Sequence, residues 1–331
     1  MPSATRRQRR SHLIARFKRE LSVAAAFALL LGALAALAPS FFTGGKPAAI
    51  LVGSGPLLVL AVGMTLVILV RQIDISIGSQ FSLCGVAAGL LARSGLPMPV
   101  VVPLTVLLGT CLGAINGALI AGLSLPSIVV TLATMVILRE GLRWAGEGEL
   151  IKDLPDRFQW FGLSQGIGQW LTVGVAVVVV LTTAWGLRYL AAGRMVYATG
   201  ADAEAARLAG IRPKRVVFVV FVLMGGLTGL AALLHSVRFP DVDPRAGDLL
   251  ELQVIAAVVV GGVAISGGRG TLIGPTLGVL LLATLGPALV FLGVGAHWDK
   301  AVQGVIILLA VAVDGLSLGR RKHAGTGLAN R

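Results

Sequence analysis

Long apolar runs, broken at intervals by Gly, Pro and charged residues, set the pattern of this chain. A helix needs roughly 17–25 apolar residues to cross the hydrocarbon of a bilayer. Such runs fall at 21–38, 49–70, 76–92, 99–122, 126–144, 170–190, 216–236, 252–266, 271–292 and 300–316. The pattern predicts an all-α integral membrane protein with about ten transmembrane helices. The runs 76–92, 126–144 and 252–266 carry Gly or polar residues, as spans buried in a bundle or lining a cavity do. A β-barrel would instead alternate polarity over ~10-residue segments, whereas 172–187 and 272–285 are continuously apolar.

Composition agrees with this pattern. Charged residues make up 13% of the chain, against about 25% in an average soluble domain. The net charge of +13 would suit nucleic acid, but the basic residues cluster at the ends of apolar runs, where the positive-inside rule puts them. With the N-terminus inside, the inner segments hold about twice as many Lys and Arg as the outer ones, and most acids fall outside. The predicted orientation is N-in, C-in. One transmembrane domain, 21–316, then lies between cytoplasmic tails at 1–20 and 317–331. The basic stretch "MPSATRRQRRSHLIARFKRE" imitates a secretory signal, but no convincing cleavage site follows, so it reads as a retained tail. Cys84 and Cys111 lie in separate apolar runs and read as reduced residues. His12, His235, His297 and His323 lack ligand spacing, which predicts no metal site. No nucleophile–base arrangement is visible, so the chain reads as no enzyme in its own right.

One interruption is unlike the others. Residues 191–215 fall in the cytoplasm on this topology and carry "ADAEAARLAGIRPKR". Asp202 can cap a short helix, Glu204 and Arg207 are spaced i,i+3, and Gly210 can end the helix with positive φ. Pro213 opposes its continuation. A helix of about two turns is too short to be stable alone, so something must pack on it. Two readings stand at this point: a connector lying on the membrane surface, or a docking helix whose small residues Ala205, Ala206 and Ala209 seat in a partner's groove.

The order of residues in "EAARLAG" resembles the cytoplasmic coupling motif of ABC importer permeases. The resemblance extends to "AVGMTLVILVRQIDISIGS" (61–79), "LPSIVVTLATMVILREGL" (125–142) and "ELQVIAAVVVGGVAISGGRGTLIGPTLGVLLLATL" (251–285). These blocks are similar, in order, to the ribose/xylose/rhamnose-type monosaccharide ABC importer permeases. That family implies a transport subunit of the bacterial inner membrane that uses no cofactor itself. ATP and Mg would act through a partner ATPase. Its other partners would be a second permease copy or paralogue and an extracytoplasmic sugar-binding protein. Asp202, Glu204, Ala205, Ala206, Arg207 and Gly210 would couple to the ATPase. The stretch 139–163 looks more like the rhamnose permeases, then the autoinducer-2 permeases, so rhamnose is the first expected cargo.

The chain departs from the family where sugar members usually have Gly-Gly before Ile-Asp: here stand Arg71 and Gln72. Arg71 is expected to pair with Asp74 across a tight turn, with Asp74 capping the helix that enters at Ser76 or taking part in gating. Gly267, Gly268 and Arg269 read as a hairpin, or as a second contact with the ATPase. Gln80, Asn116, Ser127, Thr131, Thr134, Trp144 and Gln253 are polar groups in spans, suited either to helix–helix hydrogen bonds or to a sugar pathway. Glu147, Glu149, Lys152, Asp153 and Arg157, with Asp241, Asp243, Arg245 and Asp248, make an outer charged rim able to steer a docking protein. An ion-coupled secondary transporter is the competing class. It would carry buried carboxylates or histidines within spans, and Asp74 and Asp314 are placed near inner edges instead.

Overall fold

The computed structural model describes residues 18–293 and isolated positions beyond them up to 308. Residues 1–17, the tail 317–331 and most of the predicted span 300–316, Asp314 included, lie outside the described residues, while 18–20, expected in the N-terminal tail, open α1. The helices are α1 (Lys18–Leu37), α2 (Lys46–Leu69), α3 (Ile77–Arg93), α4 (Met98–Gly117, continued by a π segment Ala118–Gly122) and α5 (Ser127–Gly146). They are followed by α6 (Gln165–Tyr189), α7 (Ala191–Ala201), α8 (Ala203–Leu208), α9 (Pro213–Ser236), α10 (Leu250–Val260) and α11 (Ile273–Phe291). Among the described residues the only β-type pairing is an isolated antiparallel bridge, Ile151 with Val242. The all-α expectation therefore holds.

Among the described residues, six helices are long and apolar enough to cross a membrane: α1, α2, α4 with its π segment, α6, α9 and α11. Three predicted spans take other forms. The run at 76–92 is the 17-residue α3. The run at 126–144 is α5, which carries Arg139, Glu140 and Arg143 and is less apolar than the six. The run at 252–266 is helical only as the 11-residue α10. Gly261 and Gly262 end it, Gly262 having φ 91, a conformation glycine adopts without steric cost.

Helix α2 forms the centre of the bundle, with every side chain from Leu58 to Leu69 buried. Helices α4 and α9 meet backbone to backbone. A Cβ at Gly109 would strike the backbone of Gly225 and Gly229, and one at Gly113 would strike Phe221 and Gly225. Both helices thus carry small residues four apart at the contact, which lets backbones approach without a strong hydrophobic drive. Away from the centre, α4 exposes Leu104, Leu107 and Ile115, and α6 exposes Val177, Val178, Leu181 and Trp185. Apolar faces of this extent suit hydrocarbon rather than water.

Between α2 and α3 the chain is not a tight turn. Residues 72–75 run non-helical into the bundle, where Asp74 is fully buried. Irregular backbone of this kind persists at membrane depth only when protein encloses it.

Candidate functional site

The local chemistry of 202–211 explains helix α8. The Asp202 carboxylate accepts hydrogen bonds from the N–H groups of Glu204 (2.9 Å) and Ala205 (3.0 Å). These donors, of Ala205 and then Glu204, with a smaller contribution from the Arg71 charge, hold the carboxyl below its ordinary pKa. Arg207 donates to both oxygens of Glu204, at 2.6 and 3.1 Å. At the other end Gly210 takes φ 83, its N–H reaches Arg207 O, and Ile211 N–H reaches Ala206 O. This double closure leaves few orphan carbonyls. Pro213, expected to oppose continuation, occupies the first turn of α9, where its missing N–H costs nothing.

The faces of α8 divide unevenly. Ala206 is buried within the chain at 4% exposure, while Leu208 is 79% exposed. Ala206 therefore anchors α8 inward, and the outward surface consists of Glu204, Ala205, Arg207, Leu208, Ala209 and Gly210. Leu208 is the one large apolar side chain on that outward surface.

Arg71 does not pair with Asp74. Its guanidinium donates to Ser266 O and Ala201 O, each at 2.7 Å. Gly267 is buried, and Gly268 donates its N–H to Leu69 O at 2.9 Å. Both glycines are thus engaged within the chain, while Arg269 is exposed beside them.

Asp74 faces a buried polar network instead. Its Oδ1 accepts the Ser76 N–H (2.9 Å) and the Ser76 hydroxyl (2.6 Å). The same hydroxyl oxygen accepts from Gln80 Nε2 (2.7 Å) and Asn116 Nδ2 (2.9 Å), and Thr134 donates to Asn116 Oδ1 (2.7 Å). So Asp74 fixes the residue from which α3 starts rather than capping α3 itself. Gln80, Asn116 and Thr134 come together from three helices. Thr131 donates back to Ser127 O on its own helix; Gln253 lies apart on α10, and Trp144 is exposed near the end of α5. Ser127 accepts the Ile73 N–H at 3.3 Å.

Ser76 is the hub of this network. We expect Ser76→Ala to cost about 3–5 kcal/mol, because it strands several buried groups at roughly 1–3 kcal/mol each. A fall in unfolding temperature of roughly 10 °C, measured on purified protein, is the expected readout.

At the opposite end, the rim segments meet. Ile151 and Val242 exchange backbone hydrogen bonds at 2.9 and 3.1 Å, and Trp160 N–H reaches Val237 O at 2.8 Å. Glu147, Glu149, Lys152, Asp153, Arg157, Asp243, Arg245 and Asp248 are exposed there and Asp241 is half-buried. Sequence reasoning missed the link from α5 to this end, in which Arg139 faces Asp248 (3.5 Å) and the buried Glu251 (3.7 Å). Its partners lie more than a hundred residues away, so no local spacing signals it.

A helical bundle with six membrane-length helices among the described residues, an apolar core holding one buried polar network, and a short exposed helix defines a multi-pass membrane protein. The chain belongs to the family described as "Branched-chain amino acid transport system / permease component", which matches residues 47–311. It is 34% identical over 303 residues to the autoinducer 2 import system permease protein LsrC of Photorhabdus luminescens, covering 90% of each chain. It is 36% identical to the LsrC protein of Enterobacter sp. (strain 638), covering 90% of this chain and 87% of the relative. It is 34% identical to the ribose import permease protein RbsC of Escherichia coli (strain K12), covering 87% of this chain and 91% of that one. No solved structure matches the chain. These relatives are permease proteins of import systems, so the chain is a transport component of the sugar ABC importer permease group.

Proposed function

We propose that this chain is the transmembrane permease of an ATP-driven, binding-protein-dependent importer in a bacterial inner membrane, moving a small sugar-like ligand. The observation that carries the reading is α8. It is a six-residue helix, fully capped, pinned inward by Ala206 and presenting Leu208 to solvent. A helix this short persists because the fold holds it, and the fold holds it with Leu208 outward beside the Glu204–Arg207 pair. An ATPase subunit, supplying ATP and Mg, would seat on that face. A second permease copy or paralogue would complete the pathway, and a binding protein would dock on the charged rim at the far end. Closure of the ATPase dimer would push on 202–210 and switch the bundle between inward- and outward-facing states. The N-in, C-in topology of about ten spans belongs to this proposal, since it puts α8 on the ATP side.

For the cargo, overall similarity favours autoinducer-2 or ribose, the ligands that the relatives' names carry. The expectation of rhamnose rested on 139–163. Much of that stretch packs against 237–242 at the end of the bundle, so its resemblance bears more on a docking surface than on a pathway. Gln80, Asn116 and Thr134 are the pathway candidates that converge.

The test is uptake of labelled autoinducer-2, ribose and rhamnose into liposomes holding the permease pair and ATPase, with binding protein added. Uptake should require ATP and persist when ion gradients are collapsed. Uptake driven by an ion gradient without any ATPase would instead establish the secondary-transporter reading. Gly210→Asp forces a side chain into φ 83 and should cut ATP-dependent uptake about ten-fold or more. Glu204→Arg, which places like charges together, should reduce it in the same direction.

A further inference from the structure

Helix α2 ends in the same double closure as α8. Arg71 N–H reaches Ile68 O and Gln72 N–H reaches Val67 O, which puts Arg71 at the position where glycine is usual. Arg71 has φ 61, a left-handed conformation that costs a side-chain-bearing residue and not glycine. An arginine here is locally unfavourable, so its side chain must return something through contacts elsewhere.

Those contacts converge on one joint. The guanidinium bridges Ala201 O, the last residue of α7, and Ser266 O in the loop between α10 and α11. Ala201 immediately precedes Asp202, the cap of α8. Around the bridge the backbones touch directly. A Cβ on Gly200 would overlap Leu69 O and approach Gly268 N, and one on Gly268 would press on Gly200 and Ala201. Gly268 N–H donates to Leu69 O, and the Tyr197 hydroxyl of α7 donates to Gly270 O at 2.8 Å. Three chain segments, the end of α2, the end of α7 and the 264–270 loop, are therefore in direct backbone contact, with the Arg71 side chain lying alongside.

We propose that Arg71 is a positioning residue: a strut that fixes the base of α8 to the buried helix α2 and to the α10–α11 loop, so that these elements move as one body. Displacement of α8 then reaches α2, the centre of the bundle, without being absorbed by a flexible 200–202 hinge. Both bridged groups are backbone carbonyls, which suits a planar fork with several donors; an ammonium would have to serve both from a single atom. The link from α8 motion to transport rests on the permease reading above; the strut itself does not.

Arg71→Gly isolates the side chain, because glycine suits the local backbone. In the purified full chain in nanodiscs, amide hydrogen exchange across 200–211 should rise about ten-fold or more, as expected for loss of two charge-assisted hydrogen bonds, with exchange in α4 and α9 unchanged. In the complete importer, ligand moved per ATP hydrolysed should fall about ten-fold, and Arg71→Lys should recover part of both effects. Unchanged exchange across 200–211 in Arg71→Gly would overturn the strut. Raised exchange with an unchanged transport-to-hydrolysis ratio would overturn its role in transmission. If the wild-type chain neither binds an ATPase nor transports with one, the permease reading fails, while the exchange result still decides the strut.

Discussion

Leu208→Asp should abolish productive association with the ATPase while leaving the permease folded. The side chain is 79% exposed in the chain alone, so folding gives it little and loses little with it. Covering a leucine against a partner is worth about 1.5–3 kcal/mol, and a carboxylate in its place would be desolvated without a pair. The affinity of the ATPase for the permease should therefore fall by roughly ten- to a hundred-fold or more. Binding of the ATPase to nanodisc-embedded permease measures this, with Leu181→Asp avoided as a control because α6 faces the lipid; Ala203→Ser at the exposed start of α8 serves better. Undiminished binding by Leu208→Asp would remove α8 as the docking element. Ala206→Asp should behave differently. Ala206 is buried in the chain, so that variant should loosen α8 itself before any partner is present.

The second large effect is structural. Gly225→Val should prevent α4 and α9 from closing on one another. A Cβ at Gly225 would fall on Gly109 O and within 2.8 Å of the Gly113 backbone. These are backbone atoms on both sides, so no rotamer change relieves the overlap. Separating the helices would also undo the neighbouring contacts of Gly113 with Phe221 and of Gly109 with Gly229. The expected cost exceeds about 4 kcal/mol, which few single substitutions reach. Size-exclusion chromatography in detergent should show little or no monodisperse protein. Gly174→Val on α6, where a Cβ meets nothing within 4 Å, should stay near wild type. Recovery of normal folded protein from Gly225→Val would show that the close approach of α4 and α9 is dispensable.

The two variants test different kinds of residue, and the sequence announced them unequally. Helix α8 was legible in detail, because each of its determinants is local. Asp202 reaches two and three residues ahead, Glu204 meets Arg207 one turn on, and Gly210 closes the helix on Arg207. The long apolar helices were legible for the same reason, since length and hydropathy are properties of a continuous segment. The run at 252–266 misled, because paired glycines can sit inside a membrane helix or end one, and here they end it.

What the sequence by itself determined is a helical membrane chain with a capped, exposed helix at 203–208; that most of the expected loop 191–215 is also helical, as α7, only the structure shows. Tertiary structure alone decided which side of that helix faces outward, where Arg71 reaches and how deep Asp74 lies. Asp74 is three residues from Arg71, and opposite charges at that spacing suggest a pair. The arginine instead crosses 130 and 195 positions of chain to two carbonyls, while the carboxylate turns into the bundle to meet Ser76. The physical reason is that the backbone between them leaves helix α2 through a left-handed residue and runs on outside any helix. That sends neighbouring side chains in different directions, and the partners each then finds are set by packing between distant segments.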